Sequence, residues 1–153
     1  MNQPQAPIPR IAMISSSWHR ELVDQATNAF IREVGARGHV DRFEVPGAFE
    51  IPLHAQRLAR AGAHDAIVAC GLVVDGGIYR HEFVASAVID GLMRVQLDSG
   101  VPVLSVVLTP QHFHEHETHQ QFFSDHLVHK GQEAAQACLR TVAGLRALDA
   151  AAR

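Results

Sequence analysis

At 153 residues and 47% apolar, the chain can form one domain with a core, since a domain of ~150 residues buries roughly 70% of its unfolded surface. A net charge of -3 with neutral histidines and no basic run argues against nucleic acid as the main partner, and no apolar stretch approaches the ~20 residues of a membrane span. The N-terminus lacks the basic-then-apolar plan of a signal peptide, so the expectation is a cytoplasmic protein.

Residues 1–9 contain Pro4, Pro7 and Pro9 without periodicity and read as an extended arm ahead of a single domain over 10–153. Arg10 to Ser16 is a β-rich run, and Ser15, Ser16 and Ser17 are helix-capping residues at its end. From His19, the apolar positions Leu22, Val23, Ala26, Phe30 and Val34 recur at helical spacing, with Gly35 and Gly38 as the stop. Trp18 is left at the junction, where it serves either as a hydrophobic staple or as a stacking surface.

Val40 to Val45 reads as a second strand ended by Pro46 and Gly47, and Pro52 suits the first turn of a helix running to about Ala61 before Gly62. Glu50 stands beside that helix start, as a capping acid or as an acceptor for ligand hydroxyls. Asp65 to Gly71 is a third strand, apolar as a strand buried on both faces should be. Gly71 to Val84 then carries Gly76 and Gly77 between a strand and a helix, followed by Tyr79, Arg80, His81 and Glu82. An open α/β sheet binds ligands at such a handover, because backbone N–H groups and the positive helix end point into the crevice.

Val84, Val88, Gly91, Leu92 and Val95 give a helical stripe ending near Gly100, and Val101 to Leu108 reads as a fourth buried strand. His112 to His126 is expected to be helical, and Gly131 to about Leu148 to form a final helix. Strands alternating with helices predict an α/β fold of three layers, a flavodoxin-like parallel four-stranded sheet with helices on both faces. Cys70 and Cys138 lie far apart inside apolar patterns, which predicts reduced, packed thiols.

Of the eleven histidines, His112, His116 and His119 share one helical face. That spacing raises a zinc site, but neither HExxH nor a Cys/His spacing is present. A solvated polar face is the simpler reading, and no metal is expected.

Trp18 after the first strand, Val45 to Pro52 (Val-Pro-Gly-Ala-Phe-Glu-Ile-Pro), the Gly71 to Val84 loop, Val101 to Thr109, and Lys130-Gly131 followed by Glu133-Ala134-Ala135 together resemble lumazine synthase, the penultimate enzyme of riboflavin synthesis. The resemblance covers nearly the whole chain, and the octet is its most specific part. It implies condensation of 5-amino-6-(D-ribitylamino)uracil with 3,4-dihydroxy-2-butanone 4-phosphate to 6,7-dimethyl-8-ribityllumazine, phosphate and water, with no cofactor. By family position, Trp18 stacks on the pyrimidine, Ala48, Phe49 and Glu50 hold the ribityl chain, and Leu72, Val73 and Val74 pass beside the ring. Gly77 and Ile78 supply backbone contacts to the butanone phosphate, with Lys130 from the final segment. The family's sites lie between neighbouring subunits of a pentamer.

The chain departs from the common family pattern in four places: Arg80 replaces the usual catalytic histidine, with His81 beside it; His119 replaces the phosphate-binding arginine; Ser105 replaces a phenylalanine near the pyrimidine; and about three extra residues precede Lys130. Arg80, His119 and the run His112-Phe113-His114 resemble the second lumazine synthase type of some rhizobia and brucellae, which implies a decamer of two pentamers. Arginine holds its proton near neutral pH, so Arg80 is expected to stabilise charge or grip phosphate while His81, water or the leaving phosphate moves protons. The competing reading from another class is a weakly active flavin- or lumazine-binding carrier or sensor on the same scaffold. A histidine-helix metalloprotein is a third.

Overall fold

Runs of six or seven residues rich in β-forming side chains become the strands. The computed structural model describes residues 6–74, 80–109 and 117–152, with the backbone alone for His81 and 117–123. Its four strands are β1 (Arg10–Ser16), β2 (His39–Val45), β3 (Ala66–Leu72) and β4 (Val103–Leu108). They lie in the order β2-β1-β3-β4, and every neighbouring pair is parallel. Four helices join and cover them: α1 (Arg20–Val34), α2 (Ile51–Ala61), α3 (His81–Ser99) and α4 (Glu117–Ala151).

Strand side chains alternate between faces, so each buried strand feeds two cores. On one face Ile11, Met13, Val68 and Cys70 pack with Leu22 and Phe30 of α1 and with Ala135 and Cys138 of α4. On the other, Ala12, Ile14, Ile67 and Ala69 pack with Ile51 and Ala55 of α2 and with Val88 and Leu92 of α3. This is the expected three-layer, flavodoxin-like arrangement. Both thiols are free and buried, and burial pushes each up to about 12, because a thiolate there would lose its hydration.

Pro52 sits in the first turn of α2, and Gly62 and Gly100 end α2 and α3 in the left-handed conformation. In the N-terminal segment, the Pro9 carbonyl accepts from the His39 N–H at 2.9 Å and the Pro7 carbonyl accepts from Arg146 at 2.7 Å.

Three expectations are corrected. Ser15, Ser16 and Ser17 do not cap α1: Ser15 and Ser16 stay in β1 paired with β2, and His19 is the cap, with φ of 59° and no side-chain cap bond. The sheet register claims Ser15 and Ser16 before the helix begins, and the Ser17 hydroxyl donates to the Pro46 carbonyl instead. Nor does Gly131 start a new helix, because α4 runs unbroken from Glu117 to Ala151. A Cβ at Gly131 would overlap the Ala26 carbonyl, so this glycine lets α4 press against the backbone of α1. Finally, β4 is an edge strand, mostly half-buried with Val106 alone fully covered, and Ser105 is exposed.

Candidate active site

The strand order reverses around β1 and β3, so their carboxyl ends diverge and leave a crevice between the loops that follow them. Beyond β1, Ser17 and Trp18 turn aside. Their N–H groups donate to the Pro46 carbonyl at 3.2 and 3.1 Å, that of Ser17 also to Val45 at 2.8 Å, and the Ser17 hydroxyl donates to Pro46 at 3.2 Å. These bonds tie the Trp18 turn to the turn after β2. His19 then takes the left-handed conformation, a backbone state that histidine visits more readily than most residues, before α1 begins.

Pro46 cannot continue a ladder, so β2 ends and residues Ala48–Glu50 form one 3-10 turn leading into α2. Within it the Glu50 carboxylate accepts from the Gly47 N–H at 2.9 Å. Glu50 is thus a capping acid, and it also borders the crevice. Beyond β3, the Val73 N–H donates to the Leu108 carbonyl at 2.8 Å, which holds the strand's exit against β4.

These turns enclose a cavity of about 560 Å³ bordered by Trp18, Ala48, Phe49 and Glu50, by Leu72, Val73 and Val74, and by His19, Phe83 and Val84. Its wall is chiefly apolar, with the Glu50 carboxylate and the His19 imidazole as polar exceptions. Trp18 is 62% exposed and leans on Gly47, leaving its indole open to the crevice. A flat heteroaromatic ring suits the apolar slot, and a hydroxylated chain suits the carboxylate at its rim.

Seven candidates from the sequence therefore meet at one place: Trp18, Ala48, Phe49, Glu50, Leu72, Val73 and Val74. Arg80 stands just before α3 with its guanidinium 2.7 Å from the Glu82 carboxylate, at a helix end whose positive pole favours anions. His81 is the first residue of α3. Ser105 and Lys130 do not border this cavity. The Ser105 hydroxyl accepts from the Val107 N–H at 3.3 Å, and Lys130 of α4 donates to Glu133 at 3.2 Å, which with His129 holds the Glu133 carboxyl below its usual value. Gly77, Ile78, His112 and His116 lie outside the described residues, as does the side chain of His119.

His19 and Phe83 also border the cavity and are not among the candidates the sequence offers. His19 adjoins Trp18, which was a usable signal. Phe83 falls one residue before the apolar stripe assigned to the core, and only the placement of α3 across the crevice reveals it.

A doubly covered parallel sheet with an apolar, carboxylate-bearing crevice at its carboxyl edge defines an α/β protein whose candidate site lies where the strand order reverses. The chain belongs to the 6,7-dimethyl-8-ribityllumazine synthase family, whose model matches residues 9–146. It is 64% identical over 143 residues to 6,7-dimethyl-8-ribityllumazine synthase of Rhodococcus erythropolis, covering 91% of this chain and 92% of that protein. It is 55% identical over 151 residues to 6,7-dimethyl-8-ribityllumazine synthase 2 of Pseudomonas syringae pv. tomato, covering 94% and 89% of the two chains. With 6,7-dimethyl-8-ribityllumazine synthase 2 of Bradyrhizobium diazoefficiens it shares 59% identity over 141 residues, 91% of this chain and 86% of the relative.

Proposed function

We propose that this protein condenses 5-amino-6-(D-ribitylamino)uracil with 3,4-dihydroxy-2-butanone 4-phosphate to give 6,7-dimethyl-8-ribityllumazine, phosphate and water. The observation that carries the reading is the crevice itself, where Trp18, Glu50 and Leu72 to Val74 converge from the ends of three strands. Trp18 stacks on the pyrimidine, Ala48, Phe49 and Glu50 hold the ribityl chain, and Leu72, Val73 and Val74 flank the ring. Gly77 and Ile78 contact the butanone phosphate through their backbone.

The substrate amine attacks the ketone, water and phosphate leave, and a second attack closes the ring. No step needs a strong nucleophile from the protein. Holding both reactants in contact supplies ~7 kcal/mol or more in favourable cases, so stacking, ribityl and phosphate contacts carry most of the catalysis. Proton transfer adds about 100- to 10,000-fold. Arg80 stabilises negative charge or grips phosphate, while His81, water or the departing phosphate shuttles the proton.

Ser105, His119 and Lys130 complete the crevice of a neighbouring copy in a pentamer, two of which pair as a decamer. Exposed apolar side chains on α2 and α3, including Leu53, Phe83, Met93 and Leu97, support self-association, because such a set is costly to leave in water. The reaction takes place in the cytoplasm, without a cofactor.

The test is to mix purified protein with the two substrates and follow lumazine formation by absorbance and fluorescence against a protein-free control. Saturable formation above the uncatalysed rate is expected. No acceleration, with product still bound, would favour the carrier reading instead.

A further inference from the structure

Gly47 lies within the octet but borders no part of the cavity, and its own backbone does not call for glycine: φ of -130° and ψ of 175° are extended values open to any residue. What excludes a side chain there is Trp18. A Cβ on Gly47 would lie 2.6 Å from both Cε3 and Cζ3 of the indole and 3.2 Å from the Glu50 carboxylate, the first two distances well inside van der Waals contact.

Trp18 is tied at its backbone, and the Glu50 carboxylate is tied to Gly47 itself. The Trp18 N–H is bonded to the Pro46 carbonyl at 3.1 Å, with Ser17 bonded twice to the same turn. The Gly47 N–H is bonded to the Glu50 carboxylate at 2.9 Å. An added methyl group would thus displace the ring itself, and the ring's open side is the crevice.

We infer that Gly47 is a positioning residue: it is the seat that sets how deep the Trp18 indole lies and so keeps the stacking slot open for the pyrimidine. The inference rests on the reading of Trp18 as the pyrimidine's stacking partner. It adds a residue that acts through Trp18 and touches no substrate.

The experiment is a double-mutant cycle of Gly47→Ala and Trp18→Ala, with oligomer size and circular dichroism as controls for folding. Gly47→Ala should raise KM for the ribitylaminouracil by about 5- to 100-fold, the span of a lost stacking contact, while KM for the butanone phosphate changes by less than about twofold. In the Trp18→Ala background the same change should cost less than about twofold, since the indole's space is then empty and only the Glu50 carboxylate, 3.2 Å away, has to shift slightly. An equal penalty with and without the indole would overturn the inference, as would an unchanged KM for the pyrimidine in Gly47→Ala. If Gly47→Ala fails to fold, a double variant that folds as well as Trp18→Ala supports the contact, and one that fails where Trp18→Ala folds refutes it. If the wild type itself does not catalyse the condensation, the proposed function falls separately, and the cycle is read by titrating the fluorescent lumazine.

Discussion

Single residues here divide between those that make the crevice and those to which the proposed function gives the chemistry, and Arg80 belongs to the second group. Its guanidinium is paired with Glu82 at 2.7 Å and is largely exposed, so a phosphate reaching it competes with a carboxylate already in place. Because arginine keeps its proton, Arg80→His should retain turnover or raise it by up to about 100-fold, an imidazole being able to exchange a proton near neutral pH. Steady-state kcat on folded protein checks this, and a collapse of kcat would count against the role given to Arg80.

Far from the crevice, Asp41 accepts from His64 at 2.7 Å and from Arg10 and His39, both at 3.0 Å, and these bonds, that of His64 foremost, hold its carboxyl down to about 2 from 3.8. A carboxyl lowered on folding contributes stability that is full above the unfolded value and is lost as pH falls through the folded one. The denaturant midpoint should therefore drop between pH 3.8 and about 2 in the wild type and drop less steeply in Asp41→Asn. Parallel pH profiles for the two proteins would refute the assignment.

At the scale of elements, strands and helix faces were legible because their periods are local properties of the chain. The β-rich run Arg10 to Ser16 coincides with β1, and the stripe Val84, Val88, Leu92, Val95 marks the buried face of α3. The cap of α1 and the continuity of α4 were not legible. Ser15 and Ser16 have capping chemistry, yet pairing with β2 takes them into the sheet. Gly131 has the look of a helix stop, and only the closeness of α1 shows why a side chain is absent there.

That reading makes a prediction: Gly131→Val should force α1 and α4 apart and destabilise the protein by about 1–3 kcal/mol or more, the range typical of overpacking. Thermal or denaturant unfolding measures it. Stability equal to wild type would mean that the two helices have slack between them.

For the whole molecule, the candidate site was legible in part for a related reason. Trp18, Glu50 and Leu72 to Val74 sit at strand ends, which the topology of a parallel sheet gathers on one edge. Ser105 and Lys130 sit on β4 and α4, away from that cavity, and their part in a site is meaningful only if a second copy supplies them. Leu97, 74% exposed on α3, tests the assembly. Leu97→Asp places a charge among apolar side chains that self-association would bury, so sedimentation should show smaller species, and activity should fall with the loss of assembly. Full assembly and full activity in that variant would place the contact elsewhere.

The most direct test of the central claim, that the pyrimidine binds in the crevice beside Trp18, uses the fact that this is the only tryptophan in the chain. Titrating the lumazine product while recording tryptophan emission should give saturable quenching, with a midpoint that rises in Glu50→Gln. An active enzyme whose tryptophan emission is unaffected by saturating product would contradict the account, because the reaction would then be taking place somewhere other than the crevice described.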